Sequence, residues 1–333
     1  MKPSAALQLA KVLTRKPSLQ RFPQSLTIAL PDPTAVLLML GPLLPNLRHL
    51  RICSYDLEQP MIPNPEFFAA LSLTRSIRSF DLWHRVGERV DLSVVLRILW
   101  RLPDVTHVDS NGVGGGKLSS SDSLLKNQPR AQIGTLLLPY EDGEDTSASL
   151  CRCLCASGSV SSLRRLYVWY DTLKTPAGRN AVKDILETAG PSLTDFALDL
   201  LTYEHDNEQI NVLSDLFTFT SNVRLRRIYL FRVHASQELS EALVTLISSV
   251  ASPLEEIHIT LWPGWNPSNY SLWQRLDDIL SQSTFDSLSA VKFRLEYLNP
   301  MDELLLESSL CETLSTIHAR GILGFDGLME RDV

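Results

Sequence analysis

Leu163-Arg164-Arg165-Leu166-Tyr167-Val168 is followed by the same pattern in Leu193-Thr194-Asp195-Phe196-Ala197-Leu198, in Leu225-Arg226-Arg227-Ile228-Tyr229-Leu230 and in Leu254-Glu255-Glu256-Ile257-His258-Ile259. The shared form is apolar-x-x-apolar-x-apolar. Its last two apolar residues are two apart, which is strand spacing: they point to one side and their neighbours to the other. Working outward, the pattern recurs as Leu47-x-x-Leu50-x-Ile52, Ile77-x-x-Phe80-x-Leu82 and Ile133-x-x-Leu136-x-Leu138. Weaker copies are Val105-x-x-Val108, Leu288-x-x-Val291-x-Phe293 and Leu314-x-x-Ile317, and Ser25-Leu26-Thr27-Ile28 reads as a strand of the same type. Starts at 47, 77, 105, 133, 163, 193, 225, 254, 288 and 314 lie 26 to 34 residues apart. A period of this length marks stacked repeats, each burying its apolar side against the next.

Between the strands the apolar spacing turns helical. Thr146 to Cys155, Arg179 to Thr188 (Ala181, Val182, Ile185, Leu186), Ser236 to Val250 (Leu239, Ala242, Leu243, Ile247) and Trp273 to Leu280 all read as helices. Strands joined through helices of this length run parallel with right-handed crossovers. Helices are bulkier than strands, so the strands take the inner side of the curve. The pattern resembles leucine-rich repeats in their longer, helical form. The expected fold is an α/β leucine-rich-repeat solenoid: an arc of about ten irregular repeats with a parallel concave β-sheet and convex helices. The whole chain, 1–333, reads as a single domain, with a capping helix and turn in 1–24, repeats in 25–310 and a C-terminal strand and tail in 311–333. The Asn or Cys that follows each strand in such repeats is replaced by Tyr55, Arg85, Val113, Glu141, Asp171, Leu201, Val233 and Trp262. Without that side-chain ladder the strand-to-helix loops should be less regular.

A narrower resemblance sits at the two ends. Residues 9 to 28 (Leu-Ala-Lys-Val-Leu-Thr-Arg-Lys-Pro-Ser-Leu-Gln-Arg-Phe-Pro-Gln-Ser-Leu-Thr-Ile) resemble the start of the repeat region in mushroom-type fungal F-box proteins. His318-Ala319-Arg320-Gly321-Ile322-Leu323 resembles their closing segment, and Trp273-x-x-Leu276-Asp277 with Phe285-x-x-Leu288-x-x-Val291 resembles their last full repeat. The resemblance implies the target-binding part of a ubiquitin-ligase receptor. A Skp-type adaptor would join it only through an F-box upstream of the first helix, and no F-box is visible in the sequence. The alternative is a scaffold unrelated to ubiquitin.

Composition narrows the rest. The net charge is -7 and 44% of residues are hydrophobic, so a basic face for nucleic acid is not expected. No apolar run approaches the roughly 20 residues of a membrane helix. Five cysteines, an odd number, with no secretory signal, point to an intracellular protein, cytoplasmic or nuclear. Lys2, Lys11, Arg15, Lys16 and Arg21 precede the first acid, Asp32. A basic amphipathic start suits a transit peptide, but it also suits the first helix of the solenoid, which is the reading adopted.

Catalytic and metal motifs fail on their spacing. Gly112-Val113-Gly114-Gly115-Gly116-Lys117 has Asn111 where a phosphate loop needs its first Gly, and Leu118 where it needs a hydroxyl. Cys151, Cys153 and Cys155 alternate within a helix, so they do not share one face. No H-E-x-x-H, C-x-x-C pair or G-x-S-x-G elbow occurs. No catalytic residue, metal site or cofactor is expected, and an enzyme is the distant alternative.

The outward strand positions carry the functional expectation. After the third apolar residue of successive strands come Cys53, Trp83, Asn111, Pro139, Trp169, Asp199, Phe231, Thr260 and Arg294. Two residues earlier are Arg51, Asp81, Asp109, Leu137, Tyr167, Ala197, Tyr229, His258 and Lys292. Trp83, Tyr167, Trp169, Tyr229 and Phe231, with His258 and Arg294, should therefore line the concave sheet. His318 should face the same way from the strand expected at Leu314. Outward aromatics suit protein recognition, and packing under a loop or tail is the competing reading. Trp262 and Trp265 form a Pro-stiffened rim that would plug a gap or touch a partner.

Overall fold

The computed structural model describes residues 3–29, 33–54, 65–74, 76–84, 92–110, 131–138, 146–200, 219–233, 237–261, 270–295 and 300–326. The chain divides into two compact units, residues 1–163 and 164–333. In the first, α1 (Pro3–Arg15), β1 (Ser25–Ala29), α2 (Pro33–Leu40), β2 (His49–Ser54) and α3 (Pro65–Leu71) are followed by β3 (Ser79–His84), α4 (Leu92–Arg101), β4 (His107–Asp109), β5 (Thr135–Leu137) and α5 (Thr146–Ser157). The strands pair in chain order and all pairings are parallel. In-register Leu26, Leu50, Phe80, Val108 and Leu136 form one buried row across them, and Ile28, Ile52 and Leu82 form a second. Leu47, Ile77, Val105 and Ile133, the first apolar residue of each pattern, are buried beneath the strand starts.

The second unit contains β6 (Arg165–Trp169), α6 (Tyr170–Leu173), α7 (Pro176–Ala189), β7 (Asp195–Asp199), β8 (Arg227–Val233) and α8 (Gln237–Ser248). It continues with β9 (Glu256–Leu261), α9 (Tyr270–Leu280), β10 (Ala290–Leu295), α10 (Pro300–Thr313), α11 (Ser315–Ala319) and β11 (Leu323–Asp326). Strands β6 to β11 are again parallel and adjacent in chain order. The buried rows are Leu166, Phe196, Ile228, Ile257 and Val291, and Val168, Leu198, Leu230, Ile259 and Phe293. Every inward position of the six-residue pattern in this unit is therefore core, as its period demands.

One backbone device repeats at the strand starts. A single carbonyl accepts from two successive amides of the next repeat: Gln24 from Arg48 and His49, Arg48 from Arg78 and Ser79, Arg78 from Thr106 and His107. Arg164 accepts from Thr194 and Asp195, Thr194 from Arg226 and Arg227, and Arg226 from Glu255 and Glu256 in the same way. This satisfies the amides that lie just outside the regular ladder. Helix ends are closed by short turns. Gly190 ends α7 with φ 47°, and the buried Asn222 amide of the following repeat donates 2.9 Å bonds to the carbonyls of Leu186 and Gly190. The Leu186 carbonyl also accepts from the Gly190 amide and the Gly190 carbonyl from the Leu193 amide, so the Asn222 side chain adds a second donor to each at the helix end.

The sequence pattern misplaces the last strand. Leu314 and Ile317 are buried, but they belong to α11 and the segment preceding it, not to a strand. Spacing of three is shared by the first half of the strand pattern and by a helix, and the third apolar residue of the pattern is missing here. Asp277, 5% exposed, decides the outcome: its carboxylate accepts from the Thr316 and Ile317 amides at 2.9 and 3.0 Å, capping the helix start. Arg320 then donates to the carbonyls of Leu280 and Phe285, and the terminal strand forms only at Leu323. His318 consequently sits on a helix, exposed, and not on the sheet. The short α6, directly after β6, was also not expected. No described helix is long and apolar enough to cross a membrane.

Candidate binding face

The face of β6 to β10 turned away from the core is built in three rows, each contributed by successive outward positions. The first row alternates in charge: Arg165, Asp195, Arg227 and Glu256 are in register on four neighbouring strands. Asp195, buried, lies 3.6 Å from Arg165 and 2.5 Å from Arg227. The Asp195 hydrogen bond holds the Arg227 proton more tightly than usual, against the effect of burial. The Glu256 carboxylate accepts a 2.9 Å hydrogen bond from His258 Nε2, and this bond holds the Glu256 carboxyl below its ordinary range.

The second and third rows hold the aromatics. Tyr167, Ala197, Tyr229, His258 and Lys292 share one row; Trp169, Asp199 and Phe231 begin the other. Ala197 is only a methyl on the strand between Tyr167 and Tyr229, so the Tyr167 ring lies across β7. It stacks on Phe231 of β8 at 5.7 Å and donates its hydroxyl to Asp199 at 2.5 Å. Ring contacts are continuous from β6 to β9, stacked except at the tilted Trp169–Tyr167 pair. Trp169 meets Tyr167 at 5.3 Å, Phe231 meets Tyr229 at 6.3 Å, and Tyr229 meets the His258 ring at 4.7 Å. All five rings are half-buried, covered on their flanks by one another. Burial, followed by the neighbouring Asp199 carboxylate, pushes the Tyr167 hydroxyl well above the ordinary tyrosine range; burial also raises Tyr229.

Asp199 anchors one end. It is 3% exposed and is held by Nε and one terminal nitrogen of the Arg232 guanidinium, with Nε at 2.8 Å from Oδ1. The same guanidinium lies 5.4 Å from the Trp169 ring centroid, a cation–π contact. Arg232 reaches this position because β8 carries an irregularity between Leu230 and Val233, where Arg232 adopts φ 54°. A left-handed conformation is unfavourable for a residue with a Cβ. Here it permits Leu230 and Val233, three residues apart, both to be buried, and turns Arg232 back over the sheet.

The structure thus brings together Tyr167, Trp169, Tyr229, Phe231 and His258. Arg294 lies on β10, opposite Thr260 and half-buried. Trp83 belongs to the first unit: its backbone is in β3 opposite Cys53, and its side chain is outside the described residues. Cys53, placed outward by the pattern, is buried. On the first unit's sheet Arg51 pairs with Asp81 at 2.9 Å, and His107 lies 3.9 Å from the same carboxylate. Sequence reasoning passed over Asp195, Asp199 and Arg232. The first two stand on outward positions, and the three-residue step from Leu230 to Val233 is the signal for the bulge. Cys151 and Cys153 are buried and Cys155 is half-buried. Among the described residues no three His, Cys, Asp or Glu side chains could hold a metal ion. The Gly112–Lys117 segment and the Trp262–Trp265 rim lie outside the described residues.

No protein-family model and no curated protein matches the chain. Among solved structures, the chain is similar to the leucine-rich repeat-containing protein LegL7 of Legionella pneumophila, with a TM-score of 0.52 and 12% identity over 96% of this chain and 86% of that one. A protein from Bacteroides fragilis aligns with a TM-score of 0.47 and 14% identity, over 97% of this chain and 82% of its own. The fold is an α/β leucine-rich-repeat solenoid.

Proposed function

We propose that the chain recognises a protein partner through the aromatic face of β6 to β9 and performs no chemistry on it. One observation carries this reading: five half-buried rings form a continuous series of ring contacts, four of them stacked and Trp169 tilted against the end, on the sheet face opposite the core. Core packing has no need of them, because the inward rows are complete. Large outward aromatics in a contiguous patch are the residues that most often dominate protein association. The partner surface places Tyr167, Trp169, Tyr229, Phe231 and His258 at its centre, with Arg294 at its margin.

The resemblance at residues 9–28 and 318–323 supports a finer reading, in which the partner is a ubiquitylation target and the chain is the target-binding part of an F-box-like receptor. That role requires an F-box on the same polypeptide, N-terminal to α1. A scaffold that joins partners without ubiquitin is the competing role. The test is affinity capture from the native organism's extract, with wild type beside the Trp169→Ala/Phe231→Ala double variant. The variant should keep its circular dichroism and melting temperature within a few degrees and lose the specifically captured proteins. An unchanged set of captured proteins rules out the face. A Skp-type adaptor should co-purify with the product of the complete gene; its absence there favours the scaffold.

A further inference from the structure

The exposed large apolar side chains are unevenly placed. Among the described residues, Leu7 and Val12 on α1 are each 47% exposed, with Leu19 and Phe22 exposed in the turn after it. At the other end of the chain, Leu304 and Leu305 on α10 are 61% and 66% exposed. Each pair shares its helix face with charges of a single sign. On α1, Leu7, Lys11 and Arg15 follow one another at i, i+4 and i+8, with Gln8 and Val12 beside them and Lys16 just past the helix end, and all six are exposed. Residues 1–24 contain five Lys or Arg and no acid. On α10, Leu304, Ser308 and Glu312 follow at the same i, i+4 and i+8 steps and are exposed, with Glu307 half-exposed beside them. The α10 sequence holds Asp302, Glu303, Glu307 and Glu312 and no Lys or Arg.

From these two faces we infer that the chain associates with a second copy of itself, α10 of one copy docking on α1 of the next. The spacing matches as well as the charge. Leu7 to Arg15 and Leu304 to Glu312 each span eight residues, about 12 Å of helix. Laid side by side in parallel, the two helices put leucine against leucine and Lys11, Arg15 and Lys16 against Glu307 and Glu312. Neither face is complementary to itself: α1 against α1 would bring cations together, and α10 against α10 would bring carboxylates together. The contact is therefore heterologous, so each copy offers one donor face and one acceptor face. It is independent of the aromatic face, and apolar contact supplies its affinity while the charges select the pairing.

The full chain is examined by sedimentation velocity from low micromolar to about 100 µM, a range suited to a modest contact. Wild type should gain mass with concentration, and raised salt should shift it back toward monomer, because exposed charges are screened. Lys11→Glu/Arg15→Glu and Leu304→Glu/Leu305→Glu change exposed side chains only, and each variant alone should stay monomeric. An equimolar mixture retains one intact α1 face and one intact α10 face, so it should form a dimer that does not grow further. Overturning results are a wild-type chain that is monomeric throughout, a variant that still associates alone, or a mixture that stays monomeric.

Discussion

Replacing Arg232 separates the ionic anchor of the aromatic face from its backbone geometry. Asp199 is 3% exposed and Arg232 18%, so Arg232→Ala removes the cation facing a buried carboxylate. Breaking a buried pair from one side costs about 3–5 kcal/mol. Partial access of water to the Arg232 site brings the expected loss to the lower end of that range, about 3 kcal/mol. The cation–π contact with Trp169 adds about 0.5–1 kcal/mol. The left-handed φ of 54° does not enter this comparison, since alanine keeps the Cβ. It enters the next one. Arg232→Gly loses the same ion pair but relieves the backbone, a gain of about 1–2 kcal/mol, against about 0.5–1 kcal/mol of extra chain entropy. The glycine variant should therefore be the more stable of the two, reversing the usual order in a strand. Urea unfolding followed by tryptophan fluorescence measures both, and Asp199→Asn completes a double-mutant cycle with a coupling of about 2 kcal/mol. If Arg232→Ala costs under about 1 kcal/mol, the pair does not hold Asp199. If the glycine variant is the weaker one, the left-handed backbone carries no strain.

Gly178, in the first turn of α7, tests a second local fit. A Cβ there would sit 1.8 Å from the Thr172 carbonyl oxygen and 3.1 Å from Thr175 Oγ1, the group that caps the Gly178 amide. Helix propensity favours alanine by about 1 kcal/mol, but overpacking against buried backbone costs about 1–3 kcal/mol and a displaced cap about 1 kcal/mol more. Gly178→Ala should lower the melting temperature, whereas Asn180→Ala, exposed two residues on, should leave it level or slightly raised; a stabilised Gly178→Ala contradicts the close approach. The Glu256–His258 bond gives a pH signature. A carboxyl held below its ordinary value of 4.5 adds stability above that pH and loses it as pH falls through the folded value. Wild type should thus lose stability below pH 4.5 more steeply than Glu256→Gln in parallel thermal melts, and identical acid slopes would remove the pair from the account.

The fold was legible because its period is a packing requirement. Each Leu or Ile at the first, fourth and sixth place of the strand pattern in the second unit has a buried row to join, so changing one would be felt by two neighbours. The same logic fails where the pattern is incomplete. Leu314 and Ile317 satisfy both strand and helix, and the choice rests on Asp277, which is remote in sequence and reaches the Thr316 and Ile317 amides only in the folded unit. The aromatic face was half legible. Alternation alone turns Tyr167, Trp169, Tyr229 and Phe231 away from the core, but alternation cannot say that they touch. Contact depends on Ala197 being small and on Asp199 drawing the Tyr167 hydroxyl across β7. The bulge was written in the sequence as well: Leu230 and Val233 cannot both face inward on a strand of period two unless an extra residue is accommodated between them.

These details bear on why such a face would suit recognition. A ring that already rests on its neighbours has little rotamer freedom left to lose on binding, so less of the association energy is spent on ordering it. Tyrosine and tryptophan also offer large contact area for only two side-chain torsions each. Tyr167 is fixed at both ends, by Phe231 along its ring and by Asp199 at its hydroxyl, and Trp169 is held between Tyr167 and the Arg232 guanidinium. Buried ionic groups are poor sources of net stability, which leaves positioning as the stronger account of why Asp199 and Arg232 stand against outward-facing rings. The irregular strand β8 therefore does two things at once: its bulge keeps Val233 in the core, and it supplies the cation that makes the rings of β6 a preformed surface rather than a set of mobile side chains.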